Sequence, residues 1–327
     1  MKRRVFCMAL GTLAAVFVRE TAAQVAPARQ LRVAWVSYGS PDGGAPLLAL
    51  FLDGMRALGY VEGRNLLVER WWANGSNERL AQMAPDIARS KPDVVVAGGL
   101  SVRPIVDAKL GVPIVFTISA DPVDAKLVAS FARPGGDLTG MSLFTAELIG
   151  KRMELLKEVM PGLKRVAVIA NPLHAGEPRE REAAQGAAKR LGLAMRYLPA
   201  SNQAELDAAL ADVLRARDEA IVVFADGFAM NHAPRFAEFS LRHRIPAVSG
   251  WAEFAKRGNL LSYGPVVEEN YRRLAAYVDK INRGTRPGEI PIELPTKVEL
   301  VVNAKTAGAI GITIPPAVLA RADEVIR

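Results

Sequence analysis

From Leu31 onward the chain repeats one pattern, a short run of apolar, mostly β-branched residues followed by a longer amphipathic stretch. Residues 31–38, 65–72, 93–97 and 113–119 are such runs. Strands that are apolar throughout and alternate with helices belong to parallel sheets covered on both faces. After the first run, Leu48, Phe51, Leu52, Met55 and Leu58 recur at helical spacing, and Gly59 closes the helix. Helices are predicted at 77–90 and near 102–110, and a fifth short strand at 138–143.

The rhythm then restarts. A helix at 146–160 leads into a strand at 165–170, a helix at 177–191 and a strand at 194–198. Asn202-x-x-Glu205 is a capping box that opens the next helix. A strand at 220–225, a helix to about Arg242 and a strand at 246–249 complete the second set. A single eight-stranded barrel would need a similar number of units. The break at 133–145, where a strand-like segment interrupts the alternation, favours two doubly wound lobes. The tail adds a strand at 260–263, a long helix at 267–282, a strand pair near 290–302 and two terminal helices. It is too small for a third domain and must pack back onto the two lobes.

Composition narrows the chemistry. A chain of 327 residues, 50% hydrophobic, has the size of two domains and buries its core without metal or disulfide staples. The one cysteine, Cys7, lies in an N-terminal segment that reads as an export signal. Lys2-Arg3-Arg4 precede an apolar run from Val5 to Val18, and Thr21-Ala22-Ala23 suit cleavage after Ala23. That run is shorter than the ~20 residues a bilayer requires. Arg3-Arg4-Val5-Phe6 matches part of a twin-arginine signal, and no lipobox surrounds Cys7, so an unlipidated periplasmic protein is expected. Without residues 1–23 the net charge falls from +8 to +5, and the basic residues are scattered rather than striped, so nucleic-acid binding is not expected. The histidines His174, His232 and His243 form no H-x-H or H-x-x-x-H pair. Phosphate-loop, dinucleotide, nucleophile-elbow and zinc-protease motifs are missing from the sequence, and no cofactor is expected.

Open parallel sheets bind small molecules at the carboxyl ends of their strands. In the first half those ends supply Tyr38 and Ser40, then Gly98, Gly99 and Ser101, then Ser119 and Asp121. In the second half they supply Asn171, Asp226, Ser249 and Tyr263. Backbone N–H groups and hydroxyls suit a carboxylate, and Asp121 or Asp226 suits an ammonium group. Each position also has a plainer reading, since Asp-Pro, Asp-Gly and Gly-Gly are ordinary turn formers. Trp71, Trp72, Trp251 and Phe144 are placed either to stack on a ligand or to pack.

Several ordered blocks carry a resemblance. Asp121-Pro122-Val123 followed by Arg133-Pro134-Gly135-Gly136-Asp137-Leu138-Thr139-Gly140 is similar to the D-P-V…R-P-G-G-N-x-T-G block of a family of bacterial ABC-transporter substrate-binding proteins. That family includes the tryptophan- and tyrosine-binding lipoproteins. In the tail, Ser262-Tyr263-Gly264-Pro265, Tyr271-Arg272-Arg273, Tyr277-Val278-Asp279-Lys280-Ile281 and the segment Pro295-Thr296-Lys297 through Asn303 agree, as does Gly311-Ile312-Thr313-Ile314-Pro315-Pro316 with Ala322-Asp323-Glu324. Asp137 stands where the family more often has Asn, and no lipidation cysteine is present.

The resemblance implies a type I periplasmic binding protein, an α/β fold of two Rossmann-like lobes with parallel sheets, joined by a hinge of three crossings. The crossings fall near 141–146, 261–264 and 295–298. The N-terminal lobe is then 31–143 plus 264–296, and the C-terminal lobe 144–263 plus 297–327. The implied function is capture of a small molecule, an amino acid and in some members an aromatic one, for delivery to ABC permease subunits in the inner membrane. A sensor that hands its bound state to a receptor is the alternative. A cofactor-free enzyme using Asp121 and Asp226 is less supported, because no activated nucleophile accompanies them.

Overall fold

The computed structural model describes residues 29–143 and 146–327. The segment expected to be an export signal, Cys7 and Phe144 lie outside the described residues.

Two sheets organise the chain. The first has the order β2-β1-β3-β4-β5, built from β1 (Leu31–Ser37), β2 (Leu66–Trp72), β3 (Val94–Gly98), β4 (Ile114–Ile118) and β5 (Leu138–Ser142). All its pairings are parallel, with Val36 opposite Ala97 and Gly98 opposite Thr117. The second runs β12-β11-β10-β9-β8-β6-β7. Its strands are β6 (Arg165–Ala170), β7 (Ala194–Pro199), β8 (Ala220–Val223), β9 (Ala247–Ser249), β10 (Leu261–Pro265), β11 (Val298–Asn303) and β12 (Glu324–Ile326). Only β10 and β11 pair antiparallel.

Each sheet is covered on both faces, which is why its strands read as unbroken apolar runs. On the first sheet, Trp35, Val96 and Val115 meet Phe51, Met55, Leu274 and Val278 from the helices Pro41–Ala57 and Val267–Asn282. On its other face, Val95 and Phe116 meet Leu80, Ile87 and Ile105. The second sheet is covered likewise, by Ile149–Val159 and Glu177–Leu191 on one side and Gln203–Ala216 and Ala233–His243 on the other.

The chain passes between the sheets after Ser142, again after β10, and a third time ahead of β11. The second passage falls later than the sequence suggests. Gly264 and Pro265 still pair with Glu299 and Val298 inside the second sheet, and only then does the Val267–Asn282 helix cross back. The strand pair expected near 290–302 is one strand, β11, plus a single bridge between Glu293 and Met141. Pro291 and Pro295 lack the N–H that a longer ladder needs. Two short terminal helices, Ala304–Ile310 and Pro316–Leu319, are present as expected, and the chain then adds an edge strand the sequence did not suggest, β12.

Gly264 matters for close approach. A Cβ there would overlap the carbonyl of Gly250 on the neighbouring chain segment. Gly264→Ala should therefore lower the unfolding free energy in urea by about 3 kcal/mol. Gly162→Ala, whose Cβ meets nothing within 4 Å, should change it by less than about 0.5 kcal/mol. Equal effects at the two sites would contradict the packing described.

Candidate functional site

The carboxyl ends of the two sheets face one another across a cavity of about 240 Å³. The first sheet contributes Ser37, Tyr38, Gly98, Gly99, Thr117 and Ser119. Opposite them stand Asp226, Met230, Asn231, Trp251 and Arg257, from helices that follow strands of the second sheet. The third wall is the face of the Val267–Asn282 helix that carries Glu268, Tyr271 and Leu274 at i, i+3 and i+6. Trp35, Leu47 and Leu50 close the apolar end.

Five of the strand-end residues expected from the sequence line this cavity: Tyr38, Gly98, Gly99, Ser119 and Asp226. Tyr38 has its hydroxyl committed, donating to the Gly75 carbonyl at 2.6 Å. Gly99 adopts φ +55°, a conformation open to glycine that lets the chain turn tightly at the strand end.

Asp226 is 3% exposed and caps the short helix Gly227–Asn231. Its Oδ1 accepts the Ala229 N–H at 2.7 Å, and its Oδ2 accepts from Asn171 Nδ2 at 3.0 Å. Burial, with a smaller push from the nearby Glu180 carboxylate, raises its pKa, and His174 and these two hydrogen bonds only partly offset that. Asn171 thus acts beneath the cavity wall, orienting Asp226, rather than on the wall itself.

Ser119 ties the two halves together. Its Oγ donates to the Ala225 carbonyl at 3.0 Å and lies 3.2 Å from His174 Nε2, both on the second-sheet side. His174 is itself 3.5 Å from the Glu180 carboxylate, and burial holds its pKa below the ordinary value. At the surface, Arg179 and Asp124 form an ion pair across the same junction.

The remaining expectations are corrected by position. Asp121 is not on the cavity wall. Its Oδ1 accepts the N–H groups of Val123 at 2.7 Å and Asp124 at 3.2 Å, the ordinary Asp-Pro turn. The idea of Asp121 and Asp226 as an acid–base pair therefore has no geometry behind it. Ser40 opens onto a neighbouring groove shared with Asn202 and Gln203. Ser101 and Ser249 are fully buried outside the cavity. Tyr263 packs on the core of the second sheet, and its carbonyl accepts from buried Arg152 Nε at 2.7 Å. Among the tryptophans, Trp251 lines the cavity, whereas Trp71 and Trp72 border a separate groove.

Sequence reasoning missed Thr117, Tyr271 and Trp35. The i, i+3, i+6 face of the 267–282 helix was a usable signal, but nothing local places that helix beside the first sheet. Among the described residues no three His, Cys, Asp or Glu side chains converge as a metal site requires.

Two open, helix-covered α/β sheets with a cavity at their facing carboxyl ends define the class of two-lobed solute-binding proteins. Residues 46–326 match the family model described as ABC transporter substrate binding protein, and the chain belongs to that family. It is 23% identical over 261 residues to a tyrosine-binding protein of Clostridioides difficile (strain R20291), covering 80% of this chain and 75% of that one. A conserved domain protein from Vibrio cholerae O1 biovar El Tor superposes with a TM-score of 0.82 at 28% identity, over 91% of this chain and 99% of that one. An ABC domain from Streptococcus pneumoniae, solved in complex with L-Trp, superposes with a TM-score of 0.83 at 20% identity, over 91% of this chain and all of the other.

The environment of Asp226 makes a pH-dependent stability difference. Its folded pKa lies above the unfolded value of 3.8, so the carboxyl supports the fold below that value and costs stability as pH rises through the folded pKa. An Asp226→Asn chain carries no such term. Its melting temperature relative to the parent should therefore move upward between pH 4.5 and pH 7.5. A difference that stays constant or moves downward would contradict a desolvated carboxylate at this position.

Proposed function

We propose that this protein is the periplasmic receptor of an ABC importer. It captures an amino acid with an aromatic side chain between its lobes and delivers it to the permease of the inner membrane. The observation that carries this reading is a cavity bounded by both sheets, whose walls carry both aromatic rings and a buried carboxylate. Trp35, Tyr271 and Trp251 supply flat apolar surface, and Asp226 supplies a charge-assisted acceptor for an ammonium group. Relatives described as binding tyrosine or holding L-Trp support the same solute class.

On this reading the lobes that close are 31–143 with 264–296 and 144–263 with 297–327, the second boundary displaced past Pro265. Contacts such as Ser119 with Ala225 form only when the strand ends approach, so a solute that bridges the walls shifts the population toward the closed form. No helix among the described residues is long and apolar enough to cross a membrane, and delivery on this reading is by docking to a separate permease. The export signal at residues 1–23 fits work outside the cytoplasm.

Asp226→Asn should weaken binding of the aromatic amino acid by about 1.5–3 kcal/mol in calorimetry, the range for hydrogen bonds to charged groups. Asp121→Asn should bind as the parent does. Unchanged affinity in the Asp226 variant would remove the ammonium assignment.

A further inference from the structure

One wall of the cavity carries polar atoms that the protein leaves without partners. Ser37, Gly98 and Thr117 lie at or next to the ends of three adjacent strands and face the same side of the first sheet, with Gly98 opposite Thr117 in the register. Because Gly98 has no side chain, the hydroxyl of Tyr271 fits over it, 3.1 Å from where a Cβ would stand. The same Cβ position is 3.5 Å from the Thr117 methyl, so the Tyr271 and Thr117 side chains converge on one spot. Thr117 is 2% exposed and its Oγ1 has no hydrogen-bond partner. The buried Nε1 of Trp35, on the row below and 6.0 Å ring to ring from Tyr271, is also unpartnered. Ser37 Oγ accepts from the Gly39 N–H at 3.2 Å.

Buried hydroxyls and indole N–H groups are normally satisfied, by protein or by water. Here they sit on the wall of a cavity whose other nearby surface is apolar: Leu47, Leu50 and Leu274. The carboxyl and guanidinium groups on the cavity wall lie elsewhere, Asp226, Glu253 and Arg257 on the second-sheet side and Glu268 at the start of the 267–282 helix. Arg257 Nε is held by Glu253 at 2.7 Å. A zwitterionic head group therefore belongs at the second-sheet wall, and its side chain points toward Trp35 and Leu274.

We propose that Thr117 and Tyr271 form a specificity subsite that reads an uncharged hydrogen-bonding atom at the far edge of the solute's aromatic side chain, a phenol hydroxyl or an indole N–H. This rests on the aromatic amino-acid reading above. Both hydroxyls can donate or accept, so either tip is accommodated. Burial holds the Tyr271 phenol well above its ordinary pKa, hence protonated and able to donate at any physiological pH. A solute without a polar tip leaves both hydroxyls dry and unpaired as the lobes close, and sites of this kind discriminate strongly against the analogue that lacks the group.

The test is calorimetry on refolded, solute-free protein with two matched pairs. One pair is L-tyrosine and L-phenylalanine; the other is L-tryptophan and its benzothiophene analogue, in which sulfur replaces the N–H. The expected result is that the parent prefers the polar-tipped member of at least one pair by about 10- to 100-fold. Thr117→Val, close in shape, and Tyr271→Phe, on a different element, should each shrink that preference to within about threefold by weakening only the polar-tipped solute. Equal binding within both pairs, or a preference that survives both substitutions, overturns the subsite while leaving the aromatic reading standing. If no member of either pair binds, the aromatic reading fails and the subsite falls with it.

Discussion

The packing of the Val267–Asn282 helix against the Pro41–Ala57 helix is the interaction on which the cleft depends. The helix leaves a strand of the second sheet, yet it buries Leu274, Tyr277 and Val278 in the core of the first. At roughly 1.5–3 kcal/mol for each large apolar side chain removed from water, this contact outweighs what a free tail would gain in entropy from one crossing. The helices approach closely enough that a Cβ on Gly54 would overlap the Arg272 carbonyl. By docking there, the chain fixes a crossing between the lobes and carries Tyr271 into the cavity between them.

The two walls of the cleft are built differently. The first-sheet wall is neutral, made of hydroxyls, glycines and apolar side chains. The second-sheet wall holds its charge in a buried network, with Asp226 fixed by Asn171 and the Ala229 N–H, and His174 set between Ser119 and Glu180. Deeper still, Arg152 is fully buried, and desolvation lowers its pKa to about 10 despite the attraction of Glu180. A Cβ on Gly250 would come within 2.5 Å of its guanidinium, so the glycine makes room for the charge. Such a network costs stability to desolvate, and in return it holds the Asp226 carboxylate in one orientation.

How much of this was legible in the sequence depends on the range of the interaction. Continuous apolar strands and capped helices are local, so the alternation from Leu31 to Ser249 marked nearly every strand and the division into two sheets. The strand-end rule placed Tyr38, Gly98, Gly99, Ser119 and Asp226 on the cavity because sheet geometry brings such ends together regardless of sequence distance. It put Asp121, Ser101 and Ser249 within one or two residues of the cavity but not on its wall. Tyr271 was missed although the family resemblance put residues 264–296 in the first lobe, because neither periodicity nor composition reports which residues of that helix reach the cavity. The edge strand β12 was likewise hidden, because its pairing with β11 depends on a partner more than twenty residues earlier.

The most direct measurement of the central claim uses two exposed positions on opposite sides of the cleft, Val123 at 37% and Leu173 at 58% exposure. With each changed to cysteine and spin-labelled, the interlabel distance is measured in refolded, solute-free protein before and after saturation with L-tyrosine or L-tryptophan. If the solute is held between the lobes, the distance shortens and its distribution narrows in step with binding. A distribution that stays fixed while solute binds would place the site on one lobe alone and contradict the two-walled cleft.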